Sequence, residues 1–457
     1  MIAHDALDLS AARRLHLLGV GGSGMAPFAR LLAAWGHAVT GADARDSPAV
    51  ARLRAAGIAV ATGAAADALP AGIDAIVHTA ALPPGAPPLV AAREAGVPAV
   101  KYARAVGLLS ARCRTFAVAG THGKTTTSSL LAFALKAAGL DPSYLVGGQV
   151  PQLGGGSGRG ASDLLVVEAC EYDRSFLNLV PCGAIVTNVE ADHLDYYRDI
   201  VEIREAFQAF AARAGEILAV REDLRDALGR AAGVRARVVT FGSGASADVR
   251  GEYVGRSRGV TTFRALGRAF PLRLPGRHNV DNAAAVLAVA RELGADLDAV
   301  AAAFEAFTGV GRRLEVIGKP GGVSVVDDYA HHPTEIAAGL RTLRDEYQPR
   351  RLWCVFQPHQ YSRTRALLDE FAVALAAADH VVVPPIYAAR DNAEDLLAVS
   401  STDLVTAIRR RGGDAVHIED FASIVDFVRP QLRPGDVIVT MGAGDVGDVA
   451  GRVAASL

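Results

Sequence analysis

The chain has 457 residues, 51% of them apolar and 21% charged, which is ordinary for a globular protein and points to two to four domains. Its formal net charge of -2 excludes a global basic field that would draw it to nucleic acid or an anionic membrane. Four scattered cysteines (Cys113, Cys170, Cys182, Cys354) with no C-x-x-C pair argue against a disulfide framework. The N-terminal residues lack the apolar core of a signal peptide, and no uncharged apolar stretch approaches the ~20 residues that span a bilayer. The expectation is a cytoplasmic protein, without membrane insertion, acting on small molecules.

In chain order, "RLHLLGVGG" predicts a strand running into a glycine turn, and "MAPFARLLAAWG" a helix ended by Gly36. "AVTGAD" and "AIVHTA" predict further strands, the second followed by the proline-rich loop "LPPGAPP". Short apolar runs alternating with helical stretches are the pattern of a parallel sheet with crossover helices. At "TFAVAG" a second strand, glycine turn and helix begin. "GGQVPQLGGGSGRGAS" has no hydrophobic period and reads as a mobile loop. "DLLVVEA" and "GAIVTNV" are bare apolar runs of the buried-strand type. Between about 235 and 275, "RARVVTF", "VTTFRAL" and "AFPLRL" read as an antiparallel appendage. "PGRHNVDNAAAVLAVARELG" and "LDAVAAAFEAFTGV" predict helices, after which "VSVVDDYA", "LWCVF", "HVVVPPIYA" and "VIVTMGAG" recur as strands of a third α/β unit. The organisation expected is three domains, 1–111, 112–311 and 312–457.

Gly19, Gly21 and Gly24 fit G-x-G-x-x-G between a strand and a helix, with Asp43 at the end of the next strand, where a ribose-binding acid would sit. Alone, this motif points to a dinucleotide and an oxidoreductase. Its physical content is narrower: backbone N–H groups and a helix N-terminus facing a diphosphate, which a nucleotide sugar also carries. "GTHGKTTT" departs from the common phosphate loop, because Val118 stands where that pattern has its first glycine. Gly120 and Gly123 still permit close backbone approach, Lys124 can reach the terminal phosphates, and Thr125 offers a hydroxyl to Mg²⁺. A plain turn would explain the glycines but not a lysine followed by three threonines.

Two acidic clusters follow strands in the same unit: Glu168, Glu171 and Asp173, then Glu190, Asp192, His193 and Asp195. Strand ends are where ligands bind in α/β sheets. His278 and Asn279 precede a helix, where capping is an equally good explanation. "VVDDYAHHPTE" places Tyr329, His331 and His332 at a strand end. Adjacent histidines suggest zinc, but no third ligand stands at zinc-site spacing. "FQPHQYSRTR" crowds His359, Arg363 and Arg365 into one loop suited to a carboxylate or phosphate.

With "GTHGKTTT", "TNVEADHLD", "GRHNVDNAAA" and "DDYAHHPTE" in this order and spacing, the chain resembles the Mur ligases, ATP-dependent amide-forming ligases of peptidoglycan precursor synthesis. The resemblance covers essentially the whole sequence. It implies an α/β protein of three domains: an N-terminal Rossmann-like domain for a UDP-sugar, a central P-loop-type ATPase domain, and a Rossmann-like C-terminal domain. "GVGGSGM", "FQPHQYSRT" and "GAGDVG" resemble the member that acts on UDP-N-acetylmuramate and L-alanine; the member that recycles murein tripeptide is the rival.

The resemblance assigns Gly120, Thr121, His122, Gly123, Lys124, Thr125 and Thr126 to the ATP phosphates, and Thr125, Glu168 and His193 to Mg²⁺, with Mn²⁺ as an alternative ion. His278 and Asn279 go to adenine, and Arg313 joins Lys124 at the transferred phosphate. Gly19, Gly21, Gly22, Ser23, Gly24, Met25 and Asp43 go to the UDP-sugar, and Tyr329, His332 and Arg363 to the amino acid and acyl phosphate. Four departures stand out: Cys170 replaces an acid of the usual "EADESD", Gln360 stands where Arg is common, "QLGGGSGRG" replaces the usual asparagine-bearing loop, and "LDYYRDIVEIREAFQAF" holds no lysine for a carbamylated metal ligand. From other classes, an oxidoreductase built on the first glycine turn and a non-catalytic binder that kept the fold remain alternatives.

Overall fold

The computed structural model describes residues 7, 9, 11, 13–389, 391 and 393–457, so most of the extreme N-terminus read above lies outside the described residues. The first unit is a five-stranded, all-parallel sheet. Strand Arg14–Leu18 lies at its centre between Ala38–Asp43 and Ala75–His78, with Ala59–Thr62 and Ala99–Lys101 at the edges. The strand segment Leu15–Leu18, its one polar residue His16 included, is fully inside because helices cover both faces of such a sheet.

The central unit carries an eight-stranded sheet whose middle strands are Gly183–Val186, Arg114–Ala119 and Leu164–Glu168. These run parallel, so their carboxyl ends deliver Gly120, Glu168 and Thr187 to one edge. Helix Lys124–Ala137 packs on the sheet beside helix Arg277–Glu292, whose alanine-rich face, Ala283 to Ala290, is wholly buried. Small side chains let these two helices approach closely.

Two expectations are corrected here. "RARVVTF" does not join the antiparallel appendage: Arg237–Gly242 pairs parallel with Ile217–Arg221 in the main sheet. The antiparallel meander is Glu252–Ser257, Val260–Ala265 and Arg268–Leu272, where only Phe263, Phe270 and their neighbours on one face are buried. Its polar-apolar alternation is real, and the strand just before it lacks that alternation.

The glycine-rich segment is not a free loop. Ser157–Gly158 pairs antiparallel with Ser143–Leu145, and the segment rests on the first unit through Arg30 Nη2 to Gly154 O (3.3 Å) and Arg159 Nη1 to Ala34 O (3.0 Å). A second contact between these units places Gly107, in helix Tyr102–Ser110, against the backbone carbonyl of Asn178. A Cβ at 107 would collide with that carbonyl, which cannot move as a flexible side-chain tip can. Gly107→Ala is expected to cost about 1–3 kcal/mol, despite alanine's better helix propensity, and a thermal melt of the variant checks it.

The third unit is a six-stranded sheet ordered Glu315–Gly318, Ser324–Asp328, Val437–Met441, Leu352–Phe356, His380–Val383, Ala415–His417, parallel except for its first strand. The carboxyl ends of Ser324–Asp328 and Leu352–Phe356 face the central unit and carry the "DDYAHHPTE" and "FQPHQYSRTR" loops there. Arg256 of the meander pairs with Glu346 on helix Pro333–Tyr347, a further tie across the seam. None of the helices among the described residues is long and apolar enough to cross a membrane.

Candidate active site

The loop Gly120–Gly123 leaves the central strand and turns directly into helix Lys124–Ala137. Gly123, at φ +79°, occupies the left-handed region just ahead of the helix, and a Cβ there would press on the Asn282 side chain. The loop is pinned from the neighbouring strand end. His122 N donates to Asn188 Oδ1 (2.7 Å), while Asn188 Nδ2 (3.0 Å) and Thr187 Oγ1 (2.5 Å) donate to the His122 carbonyl. Sequence reasoning did not single out Thr187 or Asn188. Their signal was the first two polar residues after a bare apolar strand in the sheet that carries the glycine loop.

Lys124 Nζ folds back over the loop, donating to the carbonyls of Gly120 (2.6 Å) and Thr121 (3.0 Å) and to Glu171 Oε1 (3.0 Å). Burial works against its charge, but Glu171 together with the nearby Glu168 and Cys170 outweighs it, and the pKa is raised. The ammonium is thus held ready in a water-poor site. Arg313 approaches the same loop from the third unit, its Nη2 lying 3.5 Å from Thr125 Oγ1 and its guanidinium 4.9 Å from the Tyr329 ring centre.

The acids distribute themselves differently from the expectation. Glu168 accepts from Gly147 N (2.7 Å), and no direct contact with His193 accompanies it. The acid beside His193 is Glu171, 3.7 Å from its Nε2. Burial lowers the His193 pKa against the pull of Asp192 and Glu171, favouring the neutral ring that a metal ion takes. Cys170 is exposed.

A cavity of about 200 Å³ opens between the loop and the third unit, lined by Gly123, Thr126, Asn279, Asp281, Arg313 and Asp328 among others. His278 and Asn279 both border it, with Asn279 fixed by its Nδ2 bond to Pro275 O (2.7 Å) and by Asn282 Nδ2 (2.9 Å). Burial raises the Asp328 carboxyl to about 7 in spite of the nearby Arg313. Tyr329 lies under Arg312 and Arg313, away from the cavity lining.

Arg363 and His332 meet the central unit directly. Arg363 Nε (3.0 Å) and Nη2 (2.8 Å) both donate to Asp192 Oδ1 in a buried seam. His332 Nε2 lies 3.2 Å from the Ala191 carbonyl. Gln360, in place of a basic residue, sits 3.4 Å from Asp195 Oδ2. In the first unit Asp43 Oδ2 accepts from Gly21 N (2.8 Å), so the acid expected to meet a ribose closes the glycine turn itself. Gly19, Gly22, Ser23, Gly24 and Met25 complete that turn and the start of helix Met25–Ala34.

His122 is wedged between carboxylates of two units, 3.4 Å from Glu190 and 3.2 Å from Glu335. Burial opposes its charge, yet Glu335 and Glu190 override it and lift the pKa to about 9. Because the folded value exceeds the ordinary one, the stabilisation is complete below about pH 6.5 and is lost as pH rises through about 9. The stability of the wild type against denaturation should therefore fall between neutral and alkaline pH, and His122→Asn should flatten that decline.

Residues 14–114 match the model of the Mur ligase family catalytic domain, 118–290 that of the Mur ligase middle domain, and 312–444 that of the Mur ligase glutamate ligase domain. The chain is 39% identical to a UDP-N-acetylmuramate–L-alanine ligase of Caldanaerobacter subterraneus subsp. tengcongensis, over 97% of each. It is similar to the crystal structure of the UDP-N-acetylmuramate–alanine ligase of Thermotoga maritima, with a TM-score of 0.81 and 29% identity over 96% of this chain and 98% of that one. It is also similar to a murein peptide ligase of Psychrobacter arcticus, at 0.70 and 25% over 97% and 98%. The likeness runs through all three α/β units in order, and this chain belongs to the Mur ligase family.

Proposed function

We propose that this protein joins L-alanine to the lactyl carboxylate of UDP-N-acetylmuramate at the expense of ATP, in peptidoglycan precursor synthesis. The reading places it in the cytoplasm, where ATP is available. The observation that carries it is the convergence of Lys124 from one unit and Arg313 from another on the phosphate loop, beside the cavity lined by Gly123, Thr126, His278 and Asn279. The relatives named for this reaction support the choice of substrates.

A carboxylate is a poor electrophile at neutral pH. Transfer of the γ-phosphoryl group to a lactyl carboxylate oxygen breaks the P–O bond to ADP and makes an acyl phosphate. The alanine amine then attacks the acyl carbon, a tetrahedral intermediate forms, and the C–O bond electrons leave with inorganic phosphate. Catalysis is chiefly positioning and charge neutralisation. Lys124 exchanges its loop carbonyls for phosphate oxygens, and Arg313 adds a second positive charge from the opposite wall. The buried Arg363–Asp192 pair holds the third unit down on the site and keeps water from the acyl phosphate.

The residues present fit a magnesium ion. Glu171 Oε2 and His193 Nδ1 are buried without a hydrogen-bond partner, and hard oxygen with one imidazole suits Mg²⁺ or Mn²⁺. Thr125, Glu168, Glu171 and His193 would hold it, and the ion would supply further charge neutralisation at the phosphates. Glu168→Gln and His193→Ala should raise the magnesium requirement, whereas Cys170→Ser should be nearly silent, a thiol being a soft ligand on an exposed position.

The test is phosphate release with UDP-N-acetylmuramate across a panel of amino acids. Release should require both substrates and be fastest with L-alanine. Preference for a tripeptide would favour the recycling reaction, and tight NAD(H) binding at the first glycine turn without ATP turnover would sink the ligase reading.

A further inference from the structure

At the seam between the central and third units, three metal-ligating side chains from distant segments come together: His122 from the phosphate loop, Glu190 after strand Gly183–Val186, and His332 at the cap of helix Pro333–Tyr347. One ligand atom from each lies within 4.8 Å of the others. His122 Nε2 stands 3.4 Å, and His332 Nδ1 4.0 Å, from Glu190 Oε2. A tetrahedral ion with ligands at about 2.0–2.1 Å needs its ligand atoms roughly 3.4 Å apart. The first pair already meets that spacing, and small side-chain rotations bring in the third.

The orientation of both rings is what distinguishes this cluster from a chance meeting of polar groups. Metal-bound histidines use one nitrogen for the ion and donate the other N–H to a carboxylate or a carbonyl. His122 turns Nδ1 to Glu335 Oε1 at 3.2 Å, leaving Nε2 to face Glu190, and that nitrogen is buried with no hydrogen-bond partner. His332 turns Nε2 to the Ala191 carbonyl at 3.2 Å, and its Nδ1, 4.0 Å from Glu190 Oε2, accepts from Thr334 N at 3.3 Å, a capping bond that an ion would replace. Glu190 is itself steadied by Thr334 Oγ1, at 2.6 Å from Oε2.

We propose that His122, Glu190 and His332 form a transition-metal site, suited to Zn²⁺ over Mg²⁺ and separate from the magnesium site proposed at Glu168, Glu171 and His193, which fastens the third unit to the phosphate loop. Two imidazoles and one carboxylate are a frequent zinc set, and the fourth position opens on the nucleotide cavity that His122 and Glu190 line. Magnesium, which seeks an octahedron of oxygens, gains little from two imidazoles. The ion replaces the proton that Glu190 and Glu335 otherwise hold on His122, so binding releases that proton to solvent. It ties two domains that must separate for product to leave, and so makes the site a brake on turnover.

The full-length protein, stripped with chelator and kept in excess Mg²⁺, is titrated with ZnCl₂ against a chromophoric chelator, with melting temperature followed in parallel. The wild type should take up a tightly held Zn²⁺ that Mg²⁺ does not displace, and its melting temperature should rise. Glu190→Gln and His332→Ala should each weaken uptake by more than tenfold and abolish the rise. Glu335→Gln, which removes the negative charge behind His122, should weaken it about tenfold. His380→Ala, at the start of the strand next to the far edge of the third sheet, should leave it unchanged. Should His332→Ala fail to fold by circular dichroism, the near-isosteric Glu190→Gln carries the test. Uptake that Mg²⁺ displaces, that survives Glu190→Gln, or that is lost instead in His193→Ala overturns the proposal.

Discussion

Replacing Lys124 with alanine is expected to slow phosphate release by about 10²-fold or more while the protein remains folded. Lys124 has three oxygen partners, two loop carbonyls and Glu171. Those partners place the ammonium where a terminal phosphate would arrive, so it needs no reorganisation at the moment of transfer. The loss should fall on kcat more than on the KM for ATP, because loop N–H groups still bind phosphate when the charge is gone. Removing the lysine also leaves the buried Glu171 carboxylate without its cation, so Lys124→Ala should be compared with Lys124→Arg by thermal melt. Arginine restores the charge with a planar, bulkier group, and should recover stability while recovering little rate. Near-wild-type turnover of Lys124→Ala at saturating ATP would remove Lys124 from the chemistry.

Arg363→Ala is expected to have the second large effect, on the joint between units. Arg363 and Asp192 are each only 6% exposed at the side chain, and both donors of the guanidinium converge on one carboxylate oxygen. Burial alone would push the Asp192 carboxyl upward. His193 and Arg363 outweigh that and hold it well below the usual carboxylate range. Truncating the arginine leaves that charge stranded in a dry seam, a loss of about 3–5 kcal/mol. Because the pair spans two units, the cost should appear as a weaker closed state, with kcat/KM falling about 10²-fold and the melting temperature dropping. The double variant Asp192→Asn with Arg363→Gln removes both charges together and should regain much of the stability. If it also regained the rate, Arg363 would act only through the seam; if the rate stayed low, the arginine also meets substrate. An Arg363→Ala melt indistinguishable from wild type would contradict the buried-pair account.

Much of the scaffold could be read from local pattern. Bare apolar runs such as Phe116–Ala119 and Ala184–Val186 are buried strands because both faces of a parallel sheet are covered, and a glycine turn after such a run marks where backbone N–H groups can face a phosphate. The same local reasoning failed where pairing partners decide. Arg237–Gly242 has the composition of its antiparallel neighbours, but its hydrogen bonds go to Ile217–Arg221, a strand the sequence reading did not mark at all. The segment 147–162 lacks any hydrophobic period, and its order comes from Arg30, Ala34 and strand Ser143–Leu145 in other parts of the fold.

The site divides along the same line. What the sequence by itself determined was which chemical groups the protein carries: the glycine loop with Lys124 and Thr125, the acids at strand ends, and the paired histidines before a helix. Spacing along the chain reports chemistry when the groups lie within one turn or one loop, since the backbone then holds them together. Which of these groups meet was settled by the assembled fold. Glu171 and not Glu168 stands beside His193, Asp43 closes its own glycine turn, and Arg363 is engaged by Asp192. His332, which has no metal-spaced partner in its own segment, finds His122 and Glu190 on another unit. Charged side chains of several units compete for the same few buried partners, and the competition is settled by distance and desolvation in the assembled fold, which no local pattern encodes.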